Sequence, residues 1–131
     1  MTHAHTHALA HGSPALWIGL GLLLVGDYLS PCEIPFVDEI HAYRATLITL
    51  IERLAHDVRD VIPGHGPRLT AGEALAIARA DLVYLDRLAE AADRRDVARA
   101  LAIELPRAAD VVGMREHHRE NCVAVGLGSL E

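Results

Sequence analysis

Two residues in this sequence have the chemistry of a catalytic or metal-binding centre. Asp27 follows an apolar run in LLLVGDYLS, and His65 stands between glycines in VIPGHGPRLT. A carboxylate and an imidazole together suit a hard-to-borderline divalent cation, and zinc uses both donors. Glycine beside each donor lets backbone or substrate approach closely. Each residue also has a plain structural use: Asp27 can cap the loop after its strand, and His65 can hydrogen-bond a backbone group in its own turn. Further histidines crowd the amino terminus, where THAHTHALAHG contains His3, His5, His7 and His11, four of the nine in the chain. Tyr28 and Glu33 border the same region and are candidates for substrate contact or for loop packing. His117 and His118, in MREHHREN, read as a solvated charged face, and His41 and His56 as surface residues.

The elements that must position these residues follow from periodicity. Leu22, Leu23, Leu24 and Val25 form a continuous apolar stretch, as expected of a strand covered on both faces. Gly19 and Gly21 mark a turn between two short strands, and Gly26-Asp27 ends the run. YLSPCEIPF has two prolines and no helical period, so it is loop. Ile40, Tyr43, Leu47, Leu50, Ile51 and Leu54 then fall at the three- and four-residue steps of an amphipathic helix, with Asp38 as its expected N-cap. Residues 58–62 predict a short strand that Pro63-Gly64 terminates. Thr70 with Glu73 is a capping box, and Leu75, Ala78, Leu82, Leu85 and Leu88 carry the next helix to about Ala92. A charged break at 93–95, a short helix over 97–104 and another from Pro106 complete the chain, which frays through GLGSLE.

The order β(β)–α–β–α followed by helices is that of an α/β layered fold. If the helix between the two strands is an ordinary crossover, the strands run parallel. Asp27 and His65 then emerge at one carboxyl edge, where open α/β sheets place their ligands. Residues 1–12 read as a histidine-rich tail, 13–92 as the α/β domain and 93–131 as a helical extension.

Composition sets outer limits on function. The 131 residues suffice for one small core, which must be aliphatic and alanine-rich because 51% of the chain is hydrophobic but only 4% aromatic. A net charge of −6 gives no general attraction to nucleic acid or to anionic membranes. All 12 basic residues are arginine, which excludes a catalytic lysine, a Schiff base and a P-loop lysine. Cys32 and Cys122 are too few and too distant for a disulfide framework, so a reduced, cytoplasmic setting is expected. The apolar run over 14–26 falls short of the roughly 20 residues that span a bilayer. No basic residue precedes it as in a secretory signal.

LLLVGDYLS and VIPGHGPRLT, in this order and separated by one helix, resemble the metallo-β-lactamase fold hydrolases over residues 13–88. The T-x-x-E helix after PGHGP fits that family as well. The resemblance implies the C-terminal half of an αββα sandwich, with Asp27 bridging two metals and His65 bound to the second. It also implies one or two zinc ions, a small-molecule substrate, and a metal-activated water that attacks an ester, thioester, amide or phosphoester bond, oriented by Asp27. The family's H-x-H-x-D-H signature belongs to an N-terminal half that is expected to be missing here. A further family histidine normally lies shortly before SPALWI, where His7 and His11 are the two candidates. THAHTHALAHG also resembles a worn H-x-H-x-D-H, with His3 and His5 as the first two ligands.

Two other readings belong to different classes. The chain can be a catalytically silent relative that serves as an interaction or dimerisation module through its C-terminal helices, or a histidine-rich metal-binding protein. A half-sandwich leaves one sheet face uncovered, so a homodimer, partner association or poor solubility is expected.

Overall fold

Alternating strand and helix patterns in the sequence become a mixed sheet with helices packed on it. A computed structural model of the chain describes residues 6–8, 16–18, 21–26, 28–64, 66–107 and 113–127, with 6–8 and 16–18 described by their backbone alone. The strands are β1 (Thr6–Ala8), β2 (Leu16–Ile18), β3 (Leu22–Gly26), β4 (Asp60–Pro63) and β5 (Leu69–Thr70). The helices are α1 (Ile40–His56), α2 (Ala71–Asp93), α3 (Val97–Leu101) and α4 (Met114–Cys122), followed at Val123–Leu127 by a turn that kinks at Gly126, whose φ is +92°. The fold is α/β, as the alternation requires.

Strand order is β1-β2-β3-β4-β5. β3 and β4 run parallel with α1 between them, whereas the β1–β2, β2–β3 and β4–β5 pairs are antiparallel. The turn between β2 and β3 closes at Gly21, whose φ of +77° is costly for any residue with a Cβ. The Gly21 carbonyl accepts the amides of both Arg59 and Asp60, which ties this turn to the start of β4.

α1 begins one residue later than its sequence suggests. Glu39, not Asp38, is the N-cap, because its carboxylate accepts the amides of His41 and Ala42. The capping box of α2 forms as predicted: the Thr70 amide donates to Glu73 at 3.0 Å and the Glu73 amide to the Thr70 hydroxyl at 3.2 Å. Both carboxylates are held below the usual range by these backbone amides.

One sheet face, carrying Leu23, Val25 and Val61, packs into a core with Leu47, Leu50 and Leu54 of α1 and Ala78, Leu85 and Leu88 of α2. Each large aliphatic side chain fully buried here contributes about 1.5–3 kcal/mol. The alternation along β4 leaves Ile62 facing away from that core and exposed. His41 and His56 are exposed on α1, as expected.

Several expectations need correction. Thr6–Ala8, placed in a tail by the sequence, forms a strand of the sheet. β5 is two residues long, too short to show a period, and it forms because β4 offers it an edge. Residues 106 and 107 form a bend, and the next described helix begins at Met114 rather than at Pro106. His118 is not solvated but buried, with 1% exposure. The two cysteines are free, Cys32 exposed and Cys122 buried. No helix among the described residues is long and apolar enough to cross a membrane.

Candidate functional site

The parallel pair β3 and β4 brings its two carboxyl ends together. In register, Leu23 faces Val61, Leu24 faces Ile62, and a bulge then sets Gly26 opposite Pro63. Asp27 follows Gly26 by one position and His65 follows Pro63 by two. Asp27 and His65 themselves lie outside the described residues, but the strand ends that carry them are neighbours.

Beyond these ends, two loops meet. After β3 the chain turns sharply, with the Tyr28 amide donating to the Val25 carbonyl at 2.9 Å and Leu29 in the left-handed region. After β4, Gly66 adopts a φ of +98° against that first loop. A Cβ on Gly66 would lie 2.9 Å from Pro31 Cδ and 3.3 Å from Cys32 Sγ. The glycine after His65 is therefore required twice, by backbone conformation and by lack of space.

The amino-terminal histidines divide by topology. The β1–β2 connection leaves the sheet at Ala8 and returns at Leu16, which pairs with Leu24 of β3. Both of its ends thus lie toward the edge where β3 and β4 finish, and His11 belongs to this connection. The chain enters β1 at Thr6, whose partner Ile18 pairs with Leu22 at the opposite end of β3. His3 and His5 precede that entry. His3, His5 and His11 lie outside the described residues, as does the side chain of His7, which pairs through its backbone with Trp17.

Tyr28 and Glu33 part company. The Tyr28 ring is buried and packs on Tyr43 of α1 with centroids 4.5 Å apart. Glu33 lines a cleft of about 330 Å³ between the loop after β3 and α4, together with Cys32, Phe36, His117 and Glu120. Cys32 thus borders both this cleft and the Gly66 loop.

Sequence reasoning missed the polar groups that hold the first loop in place. Asp81 sits within the apolar face of α2 and is 1% exposed. Arg107 grips it with two bonds, from Nη1 at 2.7 Å and Nη2 at 3.1 Å. The same guanidinium donates from Nε to the Ser30 carbonyl at 3.0 Å, so a buried ion pair anchors the loop after β3. Burial pushes the Asp81 carboxyl up to about 6, a rise that Arg107 limits.

A second anchor comes from α4. Asn121 accepts the Val37 amide at 3.0 Å and donates from Nδ2 to the Pro35 carbonyl at 2.8 Å and to the Tyr84 hydroxyl at 3.0 Å. The Tyr84 hydroxyl lies 2.7 Å from Nδ1 of His118, whose Nε2 lies 2.8 Å from the Ala100 carbonyl. One assignment satisfies every member: Tyr84 donates to Nδ1, and a neutral His118 donates from Nε2 to Ala100. Burial lowers the His118 pKa, in keeping with that neutral form. Burial also pushes the Tyr84 hydroxyl well above its ordinary value. The available sequence signal was the spacing of Met114, His118, Asn121 and Cys122 on one face of α4, all four of which are buried.

Among the described residues, no group of three or more His, Cys, Asp or Glu side chains is placed to hold a metal ion. No protein-family model, no curated protein and no solved structure matches the chain.

Proposed function

We propose that the edge formed by the ends of β3 and β4 is the metal site of a hydrolase of the metallo-β-lactamase type, with this chain contributing the C-terminal half of the sandwich. The observation that carries the reading is the register of the parallel pair, in which Gly26 and Pro63 are opposite each other. Asp27 follows Gly26 by one position and His65 follows Pro63 by two, so both come one or two residues after strand ends that are neighbours. The packing of Gly66 on Pro31 and Cys32 supports it further, since it fixes the two loops against each other.

Carboxylate and imidazole fit zinc in kind, and catalytic zinc sites use three protein ligands. His11 is the preferred third donor, because its connection begins at Ala8 and ends at Leu16, both toward the same edge; His7 is the alternative, and His3 and His5 precede Thr6, which lies level with Leu22 at the other end of β3. Bound zinc supplies Lewis acidity and a water of lowered pKa. Asp27 and His65 hold and orient the site, and the Asp81–Arg107–Ser30 anchor keeps the Asp27 loop from drifting. The bond attacked belongs to the ester, thioester, amide or phosphoester class.

Zinc content of the purified full chain, read by elemental analysis, tests this. Stoichiometric zinc that falls in Asp27→Ala, His65→Ala and His11→Ala supports the reading. Zinc that survives those changes and disappears in a His3→Ala/His5→Ala variant assigns it to the histidine-rich segment instead. A chain without zinc, and without activity on ester, thioester and phosphodiester panels, refutes the hydrolase assignment and leaves the interaction module.

A further inference from the structure

One line of hydrogen bonds runs from the loop between β3 and α1 through α4 and α2 to α3. At its loop end the Val37 amide donates to Oδ1 of Asn121, and the Pro35 carbonyl accepts from Nδ2. Backbone donor and acceptor cannot exchange roles, so this pair fixes which way the Asn121 amide points. Nδ2 also donates to the Tyr84 oxygen, which leaves the Tyr84 proton for Nδ1 of His118, 2.7 Å away. Nδ1 is therefore bare, and the ring proton sits on Nε2, 2.8 Å from the Ala100 carbonyl. Two backbone groups of the loop thus dictate the tautomer of a histidine beyond Tyr84.

A proton added to Nδ1 breaks this order. The Tyr84 oxygen then meets two N–H groups, and its own proton has no acceptor among the described residues. Tyr84, His118 and Asn121 are all buried, so water does not take that role. Turning the Asn121 amide would offer Tyr84 an acceptor. It would also set N–H against the Val37 amide and oxygen against the Pro35 carbonyl, losing both bonds to the loop.

The surroundings of the ring do not offset this. Burial disfavours the charged imidazole, the Ala100 carbonyl favours it, and Arg115 on α4 opposes it. Cys122, also on α4, lies 3.7 Å from Nε2, and burial raises its thiol pKa, so it brings no negative charge. From α2, Tyr84 is kept neutral by burial, and Asp81 is held by Arg107. His117 faces Phe36 of the loop instead.

We propose that His118 is an acid-sensitive latch, whose protonation strands the Tyr84 hydroxyl and releases the Pro35–Val37 stretch from α4 while α1 and the sheet stay folded. The latch is independent of the hydrolase assignment. Once released, the ring regains an ordinary pKa of about 6.5. The closed form therefore loses ground as pH falls below that value, by up to about 25-fold between pH 7 and pH 5.

Amide hydrogen exchange on the full chain tests this, read as protection factors so that the intrinsic pH dependence of exchange cancels. Protection of the Val37 amide should fall by about 5- to 25-fold from pH 7 to pH 5. Leu50, inside α1, should change by less than about twofold, as local opening requires. His118→Gln keeps an acceptor and a donor but takes up no proton, so Val37 should stay protected at pH 5. That variant retains Asp81 and His117, the other groups that titrate nearby, and a fall that persists in it overturns the proposal. An unchanged Val37, an equal fall at Leu50, or a nitrogen-15 spectrum placing the His118 proton on Nδ1 at pH 7 also overturns it. Should His118→Gln not fold, the parent decides: a Val37 midpoint that coincides with that of the His118 ring signal supports the latch, and a separate midpoint refutes it.

Discussion

Replacing Arg107 by methionine isolates the buried ion pair that anchors the loop after β3. The change removes two bonds to Asp81, at 2.7 and 3.1 Å, and one each to the Ser30 and Pro106 carbonyls, at 3.0 and 2.8 Å. Asp81 is 1% exposed, so water cannot take the place of the guanidinium. Removing one partner of a buried pair costs about 3–5 kcal/mol, and each of the two lost bonds to a backbone carbonyl adds about 0.5–1.5 kcal/mol. The sum reaches the lower part of the about 5–15 kcal/mol that stabilises a typical domain.

Protonation offers Asp81 an escape with a definite pH signature. At about 1.36 kcal/mol per pH unit, neutralising a carboxyl of ordinary pKa at pH 7 costs about 4 kcal/mol. A folded pKa above the unfolded one gives stability that is present at low pH and lost as pH rises through the folded value. The Arg107→Met variant should therefore regain about 2–3 kcal/mol between pH 7 and pH 5. The parent should regain less through this group, since its Asp81 already titrates at about 6. Urea unfolding at both pH values measures this, and the Asp81→Leu/Arg107→Met double variant should recover most of the loss at pH 7. A single variant that loses less than about 1 kcal/mol, or a double variant no more stable than the single, refutes the anchoring role.

Three other outcomes are expected. Gly66→Ala meets both a φ of +98° and a contact of 2.9 Å with Pro31 Cδ. It should cost about 1–3 kcal/mol in thermal unfolding and, on the hydrolase reading, lower bound zinc without touching a donor. His118 stays neutral in the fold because burial lowers its pKa. The unfolded chain takes up that proton first, so the stability it confers should fade as pH drops below about 6.5. His118→Gln should flatten this part of the pH–stability curve, and an unchanged slope would count against the neutral assignment. Cys32 is exposed and Cys122 buried with its thiol pKa raised by desolvation. A thiol reagent should therefore modify one cysteine promptly and the second at the rate of unfolding.

Local physical chemistry made much of this fold legible in the chain itself. Thr70 and Glu73 specify the start of α2 because the capping box closes within four residues. The repeat of Leu47, Leu50 and Leu54 specifies the buried face of α1, and Gly21 marks a turn that needs a positive φ. One helix joining β3 to β4 sufficed to predict that the two run parallel. These signals are short-range, so they survive without knowledge of the rest of the molecule.

Only the tertiary structure decided which polar residues are structural. His118 and Asn121 lie in a segment whose composition reads as solvent-facing, yet both are buried by partners on distant elements. Asp81 interrupts an apolar helix face and is paired with Arg107, 26 positions later in the chain. Likewise β1 and β5, of three and two residues, exist because neighbouring strands offer hydrogen-bonding edges. A polar side chain is tolerated inside when a complementary group meets it there. That meeting depends on how the chain folds back on itself, which no spacing within one segment records.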